Sequence, residues 1–371
     1  MTNSFRQKWL SVALAIAITY PIVSAAKDEA VVIKDSRHLK VFYEEGRFAG
    51  WPANNGIWQW GNEILVGFNL GYLAPPEERG LHQIDSVRPR SRMLGRSLDG
   101  GETWSVSEAG YPDGELQRLP ADIAFDAPGF ALNARGDRAF ISLDRGKIWR
   151  GPFRLPFADL HLSARTDYQV LGPKDLMLFL SSEKTNNREG RPFCARTRTG
   201  GKYWNQFAWI GPEPRSGYSI MPSSIRLPNG DFLAALRRRD NNPSQHNFIE
   251  LFRSQDGGLS WQWLGNPVKE NGEYSGNPPS MVRLADGKLC ITYANRNEPH
   301  TIRAVFSSDD GITWGPQYVL RYGAGEPDIG YSRTVQRLDG KLVTVYYWLD
   351  EPRAERYIAA TIWSAPKVDS R

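Results

Sequence analysis

Cysteine is nearly absent from this chain: its 371 residues contain two, Cys194 and Cys290. Neither stands at a metal-binding or redox spacing. Both fall in apolar, strand-like runs and read as buried thiols. Histidine is almost as scarce. No two of the five (His38, His82, His161, His246 and His300) lie at ligand spacing. That leaves no case for a metal, and nothing implies a cofactor. Charge of one sign is not concentrated either. The net charge is +5 and the pI about 9.1, yet the longest basic run is Arg237-Arg238-Arg239, so no nucleic-acid partner is indicated. One long apolar run exists, Leu10 to Val23, and its span of about 14 residues falls short of the roughly 20 that cross a bilayer.

Arg6 and Lys8 precede that run and Val23-Ser24-Ala25-Ala26 follows it, the plan of a cleavable secretory leader. The sequence predicts a leader over 1–26 and a single domain over 27–371. It predicts a secreted or periplasmic monomer with no membrane attachment after cleavage, an uncleaved anchor being the alternative. What the chain has in abundance is Gly (35), Pro (25) and aromatics (13 Trp, 15 Tyr, 16 Phe). The first two disfavour long helices, and the aromatics supply the apolar surface that disorder lacks.

An internal repeat organises the rest. The pattern Ser/Thr-x-Asp-x-Gly-x-Thr/Ser-Trp reads SLDGGETW at 97–104, SQDGGLSW at 254–261 and SSDDGITW at 307–314. SLDRGKIW at 142–149 has Ile148 at the hydroxyl position, and TRTGGKYW at 197–204 is a degenerate copy. In each good copy an aspartate can accept amide hydrogen bonds inside a tight turn. The glycine permits positive φ, and the tryptophan can fold back between sheets. These boxes read as structural turns, too short and too poor in carboxylates for a calcium cage. Six apolar strands recur beside them, at 64–68, 130–133, 176–180, 232–236, 289–293 and 342–346. Five are followed by a box and the sixth by Tyr357–Trp363. This predicts an all-β fold, a six-bladed β-propeller, whose last blade is completed by the chain start near Val31–Val41.

A propeller gathers the starts of its inner strands at one mouth. Those starts carry Trp51 and Asn54 in the first unit, and Arg165, Asp167 and Tyr168 in the third. The next three units repeat a Tyr-Ser pair at Tyr218, Tyr274 and Tyr331, the last followed by Arg333. Tyrosine at matching places suggests a phenol-lined mouth or, alternatively, a plugged channel. Arg239 and Arg296 fall at equal offsets after Gly230 and Gly287, a pair suited to holding a carboxylate by bidentate bonds. The polar loop around His82 and Asp85 can overhang the mouth and supply a proton donor and acceptor.

With these boxes and this spacing, the chain resembles the sialidase superfamily of BNR, or Asp-box, repeat proteins, over roughly residues 40–365. The resemblance implies a propeller of the sialidase type. It makes Tyr331, in GYSRTV at 330–335, the nucleophile, Asp85 the loop acid, Arg237 the second arginine of a carboxylate clamp, and Arg296 or Arg303 the third. The chain departs from the pattern twice. Gly50-Trp51-Pro52 stands where the first arginine belongs, and Met221-Pro222 where a glutamate activates the tyrosine; Asp167 is the nearest spare carboxylate. The expected activity is an exported glycoside hydrolase removing terminal, acidic sugars. The alternatives are a uronate lyase using His82 and a mouth tyrosine, and a non-catalytic carbohydrate-binding propeller offering Trp51, Trp58 and Trp60.

Overall fold

The computed structural model describes residue 1 and residues 30–366, except 76, 78, 79, 81 and 164. The expected leader therefore lies, but for Met1, outside the described residues.

Each unit of the repeat folds as one sheet, and the described residues form six. Blade 4 shows the plan: Tyr218–Arg226, Phe232–Asp240, His246–Ser254 and Gln262–Val268 follow one another outward from the axis, each antiparallel to the last. Blade 6 is finished by the chain start. Ser36–Phe42 pairs with Tyr357–Trp363, outside Leu342–Trp348 and Gly330–Gln336. The closing strand was expected over 31–41. Val31–Val32 instead runs parallel to Tyr318–Tyr322 at the outer edge of blade 5, so the chain start ties two blades together. Closure pairs an edge that would otherwise template aggregation.

Why the ring holds is visible in its core, which is six separate seams, one between each pair of adjacent blades. Trp58, Leu65 and Phe140 fill the seam of blades 1 and 2. Leu132, Leu178 and Phe193 fill the next, then Phe179, Phe232 and Leu236, and Leu233, Ile291 and Val305. Ile302, Tyr346 and Trp363 join blades 5 and 6, and Val66, Phe68 and Val345 join blades 6 and 1. Each buried side chain of this size contributes about 1.5–3 kcal/mol. Cys194 and Cys290 are both buried and free, as the sequence reading has them.

The boxes are turns between the last two strands of their units. In the first, Gly101 N donates to Ser97 Oγ (2.7 Å), Thr103 N to Asp99 Oδ1 (2.9 Å) and Trp104 Nε1 to Gly101 O (2.9 Å). Gly101 has φ +88°, and a Cβ there would come within 3.0 Å of Val343 on blade 6. In the degenerate copy Thr199 Oγ1 takes the aspartate's part, accepting from Tyr203 N (2.9 Å).

Two departures from the plan shape the mouth. In blade 1 the inner strand is split: Arg47–Gly50 and Ile57–Trp60 pair with different halves of Glu63–Tyr72, and a four-residue helix, Pro52–Asn55, bulges between them. In blade 2, Ala131–Arg135 is the strand nearest the axis, and among the described residues no further strand covers it. Side chains do so instead. Leu132 N donates to Tyr168 Oη (3.3 Å), Ala134 N to Thr166 Oγ1 (3.1 Å) and Asn133 Nδ2 to Asn55 O (2.6 Å).

Candidate active site

Hydrogen bonds lace the inner strands together around the axis. Ser224 of blade 4 donates through N (3.2 Å) and Oγ to Asp167 of blade 3. Met281 N donates to Ser223 Oγ, and Thr334 N to Ser280 Oγ, both at 2.9 Å. Arg333 of blade 6 crosses the channel, donating to Ala53 O (2.7 Å) and Thr166 O (2.8 Å), with its other nitrogen 3.8 Å from Asp167. Arg333 and Asp167 therefore act inside the channel. Together with Tyr168, Ser223, Ser224 and Ser280 they line a cavity of about 270 Å³. Burial pushes the Asp167 carboxyl up to about 7, against the opposing pull of Arg333 and Ser224.

Above this plug, blades 4, 5, 6 and 1 bring the expected tyrosine and two arginines together. Arg237 Nη1 donates to Tyr331 Oη (2.9 Å), and its Nε and Nη2 hold Ser275 O (3.0 and 2.8 Å). Of the two candidates for a third arginine, Arg296 stands 5.9 Å from the Tyr331 ring. Arg303 is turned to Thr301 and Gln317 on the outer part of blade 5. Met221, in the place of the expected glutamate, puts its Sδ 3.7 Å from Arg237 Nη1. Backbone strain concentrates here: Trp51, Met221 and Tyr331 have φ of +61°, +55° and +49°, a conformation that non-glycine residues hold only when their surroundings impose it. Gly330 is part of the imposition. Its φ is +99°, and a Cβ would lie 2.4 Å from Ala294 Cβ and 2.5 Å from Asn277 Oδ1, the atom that accepts from Tyr331 N (2.7 Å).

Behind the tyrosine is a group that sequence reasoning missed. Asp328 is fully buried and gathers Tyr347 Oη (2.5 Å), His82 Nδ1 (3.0 Å), Arg296 Nη2 (3.3 Å) and Arg356 Nε (3.5 Å). Burial alone would raise its pKa. The His82 hydrogen bond and the charges of Arg296, His82 and Arg356 outweigh that and hold it below the ordinary carboxylate range. His82 reaches over from the blade 1 loop and stacks edge-on to Trp51 (5.4 Å). The only local signal for Asp328 was its position two residues before Gly330.

The other predicted residues are placed as follows. Asp85 accepts from Val87 N (2.8 Å) and Arg88 N (3.1 Å) within its own loop, and these bonds lower its pKa. Its carboxylate is thus turned to its own loop and makes no hydrogen bond to Tyr331. Tyr218 donates to Ser275 O (2.9 Å). Arg239 donates to Ser275 Oγ (3.1 Å), one layer out from Arg237. Tyr274 is exposed, in the loop ahead of the Ser280–Arg283 strand rather than on it, and its carbonyl accepts from Arg296 Nη1 (2.9 Å). Arg165 Nε donates to Asn54 Oδ1 (3.0 Å) on the short helix. Trp58 is buried against Trp149 in the blade 1–2 seam (5.5 Å) and offers no face to a sugar, because its strand packs toward blade 2.

A family model described as a BNR repeat-like domain matches residues 123–344, and the chain belongs to that family. No curated protein sequence matches it. Among solved structures it is similar to a protein of unknown function from Dyadobacter fermentans, at 20% identity and TM-score 0.69, covering 90% of this chain and 100% of that one. It is similar to the Trypanosoma rangeli sialidase solved with sialic acid (12% identity, TM-score 0.57), covering 90% of this chain and 59% of that one. An α-L-arabinofuranosidase of Fusarium graminearum is similar at 13% identity and TM-score 0.51, over 87% of this chain and 98% of its own. The fold is thus the sialidase-type six-bladed propeller. Among the described residues no helix is long and apolar enough to cross a membrane.

Proposed function

We propose that the protein is an exported, monomeric carbohydrate-active enzyme of the sialidase superfamily, and that it hydrolyses a terminal acidic sugar of a glycan at the Tyr331 mouth. Residues 1–26 would be its leader and 27–371 its catalytic domain. The observation that carries the reading is the 2.9 Å bond from Arg237 to the Tyr331 phenol. The guanidinium fixes the direction of the phenolic oxygen and sets a charge-assisted hydrogen bond on the atom that would react, at the place where a glutamate stands elsewhere in the superfamily. Tyr331 is then the nucleophile. His82, oriented through Nδ1 by Asp328, is the exposed proton donor. Asp85, on the same loop, is the second candidate acid. Trp51, Asn54, Arg165, Tyr218 and Tyr274 line the approach.

A β-elimination on a uronate is favoured by a different observation: the His82–Asp328 pair, beside a tyrosine that among the described residues bonds to no carboxylate, is an acid–base set. One experiment separates the readings. The purified protein is incubated with sialylated and uronate-containing oligosaccharides. New reducing ends without ultraviolet absorbance support hydrolysis. An absorbing unsaturated product supports elimination. Binding without any product supports neither and leaves a carbohydrate-binding propeller.

A further inference from the structure

Resting on the reading of the mouth as a glycan site, we propose that Arg90, Arg92 and Arg135 form a second oxyanion pocket on the blade 1–blade 2 side. Its ligand would be a further anionic substituent of the same glycan, a sulfate ester or a carboxylate. The arginines near Tyr331 are ill placed for that task. Arg237 and Arg296 are almost wholly buried (5% and 1% exposed), and apart from Arg296 Nε their donors go to Ser275 O, Tyr331, Tyr274 O, Asp328 and Tyr347.

The three arginines across the mouth differ. Arg135 ends the uncovered strand of blade 2, and its Nη1 donates to Asn69 Oδ1 (2.7 Å) and Asn55 Oδ1 (3.1 Å). Asn55 Nδ2 donates in turn to Asn69 Oδ1 (2.9 Å) and Trp51 O (3.1 Å). Both carboxamides therefore turn their oxygens to the guanidinium and fix its orientation. Arg92 stands opposite Asn69 in the blade 1 sheet. Its guanidinium lies over Tyr111 (5.3 Å) and Phe140 (5.1 Å), and its Nη1 is buried without a hydrogen-bond partner. Arg90 lies 5.7 Å over Trp51 and shares with Arg92 a cavity of about 290 Å³. Glu108 and Asp113 also line that cavity, yet among the described residues none of the three arginines has a carboxylate within ion-pair distance.

Like charges brought together repel, and the nearest carboxylates, Asp113 for Arg92 and Asp85 for Arg90, act on them only from beyond ion-pair distance. Burial first, and then the charges of Arg165, Arg92 and Arg90, hold Arg135 down to about 10. An oxyanion relieves that repulsion and accepts the donors the protein leaves unused, in the planar, two-point geometry that guanidinium groups favour. Trp51 is itself buried, but Arg90 and His82 both lie against its ring, so one saccharide can reach from the arginines past His82 to Tyr331.

The test is a titration of the purified full chain with inorganic sulfate by isothermal calorimetry, with chloride at matched ionic strength as control. Arms with glucuronate and with a sulfated monosaccharide show which oxyanion is preferred. We expect saturable sulfate binding, weakened at least about ten-fold in Arg135→Gln and in the exposed Arg90→Gln, and unchanged in Tyr331→Phe. No sulfate-specific heat in the wild type, or equal binding by Arg90→Gln and a folded Arg135→Gln, overturns the proposal. Sulfate binding without turnover of any glycan keeps the pocket and sinks the enzymatic reading. Turnover of acidic glycans that neither substitution affects does the reverse.

Discussion

Replacing Asp328 by asparagine keeps the shape of the buried centre and removes its charge. In the native fold that carboxylate faces Arg296 at 3.3 Å and Arg356 at 3.5 Å, with all three side chains at most 1% exposed. Arg356 keeps Glu326 (2.7 Å), but Arg296 is left with neutral acceptors only. Breaking a buried pair from one side costs about 3–5 kcal/mol. Unfolding a chain of this length carries an entropy of about 0.7 kcal/mol/K, so the melting temperature should fall by about 4–7 °C. Asp339→Asn, which removes a half-exposed partner of Arg337, should cost less than about 1 kcal/mol. The sign with pH is also fixed. The Asp328 pKa is lower in the fold than in the unfolded chain. Its contribution is therefore present above the ordinary carboxylate pKa and is lost as pH falls through the folded value. The wild type should converge on the variant in acid. Urea unfolding of both from pH 7 down to pH 3 measures this. A cost below about 1 kcal/mol at pH 7, or a gap that does not begin to narrow as pH falls below the ordinary carboxylate pKa, refutes the reasoning.

Three further outcomes follow from the same structure. Asp167 titrates the other way: its pKa rises to about 7 on folding, so ionising it opposes folding by about 4 kcal/mol above pH 7. The wild type should lose stability in urea as pH rises from about 4 to about 7, and Asp167→Asn should show a flatter profile. Gly330→Ala forces a Cβ into Ala294 and Asn277 at positive φ and should cost about 1–3 kcal/mol, with a larger loss of activity than of secondary structure by circular dichroism. His38, whose pKa burial and Arg321 lower to about 4, bonds Thr361 in the closing seam of the ring. It favours the fold only while neutral, so stability should fall as pH drops below about 6.5, and His38→Gln should blunt that fall in a thermal scan.

The architecture was legible because its signals are local. Each box makes its own hydrogen bonds within eight residues, and the spacing of the boxes counts the blades. Tyr331 stood out because three successive blades repeat a Tyr-Ser pair, whereas Arg237 was named only through the resemblance, since the blade offsets point to Arg239 and Arg296. Arg135 was not legible. Its blade lacks an inner strand, so the offsets that align Arg239 with Arg296 have no counterpart there. Asp328 gains its meaning from His82, 246 residues away in sequence, and no local pattern announces such a contact. The split inner strand of blade 1 was equally hidden, since a four-residue helix beginning at Pro52 leaves no periodicity to read.

The most direct test of the account is the rate of Tyr331→Phe on whichever acidic glycan the wild type converts. The phenol is a partner of Arg237, so the variant's fold is first matched to the wild type by urea unfolding. A loss of at least about a hundred-fold in kcat, with substrate still bound, is the predicted result. A folded Tyr331→Phe protein that turns over at the wild-type rate contradicts it.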